Sequence, residues 1–174
     1  MVSETAIFFR NRPPVHGGWV IASIAIILLF SAPGAASGPS TEHFAPLLSA
    51  VNEFRVDHDR RPLTLNSRLT RAAESQALFS ARTGLLDHTG HLGLNLGKRL
   101  DAVDYRWSHA GENLAAGQQD AGEVIEHWSE SPSHRRVLLG EAYWEAGVAM
   151  VKGGDGTYYW VLITATQLVR QGDA

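Results

Sequence analysis

The chain contains no cysteine. That absence excludes disulfides, thiolate metal sites and a lipid anchor on cysteine, so the folded chain is held by packing and hydrogen bonds alone. An excess of charge is lacking too: 15 Lys and Arg stand against 18 Asp and Glu, a formal net charge of -3. Such a balance supplies no field for polyanions, and nucleic acid is not an expected partner. No internal repeat and no low-complexity tract interrupts the chain. Its 174 residues, 44% of them hydrophobic, suit one globular domain with a short extension rather than two domains.

What is present begins with a segment of export type. Arg10 and Arg12 form a positive start, Trp19 to Phe30 is an uncharged apolar run, and Pro33 to Ser37 offers the small residues a signal peptidase accepts. The run is short of the roughly 20 residues that spanning a bilayer takes. Residues 1–37 are therefore expected to be a cleaved signal peptide, with retention as an uncleaved anchor the alternative and the only route to membrane contact. Residues 38–43 follow as a linker, 44–168 as the folded domain and 169–174 as a tail. This places the protein outside the cell or in the cell envelope.

Helical spacing of Leu47, Leu48, Val51 and Phe54 predicts a first helix. Pro62 to Leu65 is a short extended connection, and Asn66 or Ser67 can cap a second helix that ends at Gly84. From Leu85 to Gly117 periodicity weakens, apart from a short helix over Leu94 to Ala102, and the stretch reads as a loop-rich region where binding chemistry tends to sit. Asp120 caps a third helix that carries Trp128, and Ser131-Pro132 starts another that Gly140 ends. Trp144 to Val151 and Thr157 to Leu168 are rich in β-branched and aromatic residues around a glycine-rich loop, which predicts a hairpin. Helices early and paired strands late make an α+β domain.

Among the titratable residues, His88 and His134 could ligate a cation as neutral imidazoles, and Glu112 could orient one of them or act as a base. Each also has an ordinary reading: His88 satisfying a loop carbonyl, His134 on a helix surface, Glu112 capping the next segment. The aromatics Trp128, Trp144, Tyr158, Tyr159 and Trp160 read as core or sheet-face residues. A serine nucleophile at Ser131 or Ser133 lacks any glycine elbow.

Taken in order, Asn52 and Arg55, Pro62-Leu63 and Asn66, Leu69 and Ala72, His88, Arg99, Tyr105, Gly111-Glu112-Asn113, Trp128, Ser131 to Arg135 and Gly147-Val148 resemble the CAP superfamily in its short bacterial form. The group comprises cysteine-rich secretory, antigen 5 and pathogenesis-related proteins. The resemblance implies a three-layer α-β-α sandwich around a central antiparallel sheet. It also implies a central cleft in which His88 and His134 hold a divalent cation, zinc before others, with Glu112 as the acidic partner. The second acidic position of fuller members falls at Ser131, with Glu130 adjacent. The implied function is a secreted protein, not an enzyme, whose cleft binds a small or lipid-like ligand. The alternatives are a metal-assisted hydrolase of peptide, ester or phosphodiester with Glu112 as catalytic base, and a module that binds a cell-envelope component.

Overall fold

The structure, a computed structural model, describes residues 7–10 and 45–168. The apolar run and the cleavage motif of the expected signal, the linker and the tail lie outside the described residues.

Among the described residues, five α-helices and five strands form the domain. Helix α1 is Ala45–Val56, α2 is Ser67–Thr83, α3 is Leu96–Ala102, α4 is Ala121–Glu130 and α5 is Pro132–Leu138. The strands are β1 (Ile7–Arg10), β2 (Thr64–Leu65), β3 (Trp107–Ala116), β4 (Glu145–Lys152) and β5 (Tyr158–Gln167). They make one sheet in the order β1-β3-β5-β4-β2. Three of the pairings are antiparallel, but β2 runs parallel to β4, so the sheet is mixed where an antiparallel one was expected. The physical reason is that α2 carries the chain from β2 to the opposite layer, so β2 enters the edge without a hairpin turn.

Helices α2 and α3 pack on one face of the sheet and α1, α4 and α5 on the other. This is the three-layer α-β-α sandwich. The local reasons are visible in the caps. The Asn66 side chain accepts from the amides of Arg68 and Leu69, and α2 ends at Gly84 with φ 72°, a left-handed position that suits glycine. Pro132 opens α5, yet the hydroxyl of Ser131 makes no capping bond to the helix and lies 3.1 Å from the Ser133 hydroxyl, against the expected cap.

Cross-strand registry fixes which residues face which layer. Glu112 lies opposite Ile163, which lies opposite Gly147; Asn113, Leu162 and Val148 form the next row and point the other way. Gly147 faces α2, and a Cβ there would come 2.1 Å from the Leu69 carbonyl carbon, so the helix backbone lies directly on the strand. Ala72, Ala73 and Ala77 continue this contact as small buried residues, while Leu47, Val51, Val124 and Trp128 fill the opposite layer. Trp144 departs from the expected packing role: it is 54% exposed, with the Arg61 guanidinium 3.3 Å above its ring.

Arg55 fastens the second layer. Fully buried, it donates to the carbonyls of Arg61, Leu138 and Gly140. Burial, followed by Arg61 and Arg60, pushes its pKa down to about 10, so it stays charged at neutral pH.

The largest difference from the sequence reading is β3. Residues 107 to 116 were expected in a loop-rich region and instead form a ten-residue strand, paired along its length with β5. Alanine, glycine, glutamate and asparagine dominate it, residues with weak strand preference, and burial in the sheet overrides that preference.

Candidate functional site

Glu112 sits on β3, fully buried, with both carboxylate oxygens engaged. One oxygen lies 2.8 Å from His88 Nδ1, and the other accepts a short hydrogen bond from Arg99 Nη2. Arg99, on α3, also donates from Nη1 to the carbonyls of His88 and Leu94, each at 2.9 Å. One guanidinium thus neutralises the carboxylate and fixes the loop that carries His88. Gln76 of α2 holds the same loop from below, donating to Asp87 O at 2.7 Å. Gly90 completes the enclosure, because a Cβ there would meet Gln76 Oε1 at 2.5 Å. Glu112 therefore belongs to a strand and a buried ion pair rather than to a cap.

His134 approaches from the other layer. It lies in the first turn of α5 at 1% exposure, where the sequence left a surface position open. The side chain of Asn113, next to Glu112 but on the opposite face of β3, donates to the His134 carbonyl at 3.0 Å. Among the described residues, neither ring nitrogen of His134 has a hydrogen-bond partner, and Nε2 of nearby His127 is also buried without one. The two imidazole centroids are 6.2 Å apart. Burial pushes the His134 pKa down to about 4, with smaller contributions from His127 and then His88.

Of the expected residues, His88 and Glu112 are thus in direct contact, while His134 reaches β3 from the other layer through its carbonyl on Asn113. Among the described residues, no group of three or more His, Cys, Asp or Glu side chains is placed to hold one metal ion. Two surface depressions lie away from these residues: about 460 Å³ beside Ser49, Asn52 and Glu53 on α1, and about 320 Å³ beside Leu78, Arg82 and His91. Ser131 is buried, and Glu130 is exposed at the end of α4.

Two residues were not given a role from sequence. Arg99 was matched by position only, although a buried carboxylate calls for a cation, and Arg99 shares a helix face with Leu96 and Leu100. His127 directly precedes Trp128, and nothing in its spacing marks it.

The profile of the cysteine-rich secretory protein family, CAP, matches residues 48–164, more than half of the chain. The chain belongs to the CAP family. Its CAP domain is 24% identical over 109 residues to the YkwD protein of Bacillus subtilis, covering 63% of this chain and 42% of that protein. A second Bacillus subtilis protein, the membrane protein YlbC, is 27% identical over 113 residues, 65% of this chain and 32% of its own length. The match thus spans less than half of either relative. Among solved structures, an outer surface protein of Borrelia burgdorferi is similar with a TM-score of 0.65 at 23% identity, over 70% of this chain and 90% of that one. An extracellular SCP-domain protein of Bacillus anthracis follows at 0.62 and 24% identity, over 73% and 45%. At these identities the likeness is one of fold.

Proposed function

We propose that this CAP domain is an extracellular or envelope binding module that recognises a small or lipid-like ligand at His88 and His134, with Glu112 as a positioning residue. The observation that carries this reading is the engagement of Glu112. A general base must reach the proton it removes, and here both oxygens of the buried carboxylate are taken by His88 and Arg99. The same engagement favours Glu112 as an orienting partner of His88 over the base of a hydrolase. An extracellular setting is supported by the export-type N-terminus and by the description of the Bacillus anthracis relative as extracellular.

A divalent cation fits this donor set in part. A carboxylate on Nδ1 of a histidine is the usual way to orient an imidazole toward a metal, and His134 has two unpartnered ring nitrogens. Two imidazoles make a weak site that leaves the remaining positions to water or ligand. A bound zinc would supply Lewis acidity; the protein supplies the orientation and the dry surroundings.

Native mass spectrometry of the exported protein tests the proposal. A retained small-molecule or lipid mass, lost in His134→Ala, supports it. A bare protein that takes up no zinc and no ligand overturns it in favour of a module that binds the cell envelope by its surface.

A further inference from the structure

The two edges of β3 are used very differently. On one side the strand is paired with β5 from Trp107 to Ala116. On the other, the described pairing covers only His109–Glu112, opposite Ile7–Arg10 in antiparallel register, with Ile7 against Glu112 and Arg10 against His109. Among the described residues the pairing reaches Glu112, and two positions further on Leu114 O is taken by Trp128 Nε1 at 3.1 Å. Residues 7–10 belong to the segment expected to leave on export, and their departure would bare a row of strand amides and carbonyls next to the buried ion pair. Such a row is a template for another strand, with affinity drawn from main-chain hydrogen bonds.

We propose that His109–Glu112 is a strand acceptor: residues 7–10 fill it in cis, and an extended, proline-free apolar peptide of a partner chain fills it in the same antiparallel register when they are gone. The proposal uses the backbone of β3 and does not depend on the ligand reading of the histidines.

The test compares the full chain with its Phe8→Pro/Phe9→Pro variant. Successive amides of a strand alternate between its two edges, so one of the two prolines must remove a donor to β3. The probe is a fluorescein-labelled peptide of residues 5–12, with the same peptide carrying both prolines as control. In the unaltered chain the alternate amides of residues 109–112 that point to β1 should exchange slowly. In the variant they should exchange faster, and the unaltered peptide should restore protection saturably. That peptide should also bind the variant at least ~10-fold more tightly than the unaltered chain, where the cis strand competes at high effective concentration. Equal exchange in both chains, equal binding of the two peptides, or failure of the peptide to restore protection would each overturn the proposal.

Discussion

At the residue scale, the buried imidazole of His134 ties stability to pH. Above pH ~6.5 the ring is neutral in both folded and unfolded chains and adds no pH dependence. Below that the unfolded chain takes up a proton while the folded one, whose pKa lies at about 4, does not. Stability should therefore fall as pH drops from 6.5 towards 4, by about 3 kcal/mol at most. Urea midpoints at pH 7 and pH 4.5, with a chelator present, should differ less in His134→Gln than in the unaltered chain; an equal difference would contradict the assignment. Glu112 gives a second prediction. Glu112→Gln leaves the Arg99 guanidinium buried without its counter-charge and should cost about 3–5 kcal/mol, whereas adding Arg99→Met should recover part of that loss. Chemical denaturation of the single and double variants measures both. The candidate residues were legible because His88, Glu112 and His134 stand in ordered motifs. Their burial was not, since one sequence does not show that β3 runs through the middle of the site, nor that Arg99 comes back to meet it.

At the level of elements, the close seat of α2 on β4 is the most demanding contact. Gly147→Ala would push a methyl group into the Leu69 backbone. A backbone contact has no rotamer to yield, so a loss of about 3 kcal/mol or more is expected, read as a drop in the thermal midpoint. Gly84→Ala, by contrast, strains only a left-handed cap and should cost about 1 kcal/mol. The helices could be read because their caps and apolar spacing agree, as with Asn66 and Gly84 around α2. The hairpin could be read because valine, isoleucine and aromatics crowd β4 and β5. Strand β3 could not: its Ala-Gly-Glu-Asn-Leu-Ala-Ala core carries neither alternation nor β-branched residues, and only its neighbours make it a strand. The parallel seat of β2 was hidden for a related reason, since two residues are too few to announce a partner.

For the whole molecule, the layered architecture followed from helices, a late hairpin and the family resemblance, and a cysteine-free sandwich leaves fastening to polar side chains. Arg55 joins the end of α1 to the carbonyls of Leu138 and Gly140, positions 83 and 85 residues away. Arg55→Met should strand those carbonyls and the Arg61 carbonyl in the interior, at a cost of about 3 kcal/mol or more, measurable in the denaturant midpoint. A disulfide at the same place would shorten the unfolded chain into a loop; a guanidinium leaves it linear. The polypeptide can therefore be drawn out end to end, as passage through a narrow pore requires, and can close again with no electron acceptor, no exchange of bonds and no memory of which compartment it came from.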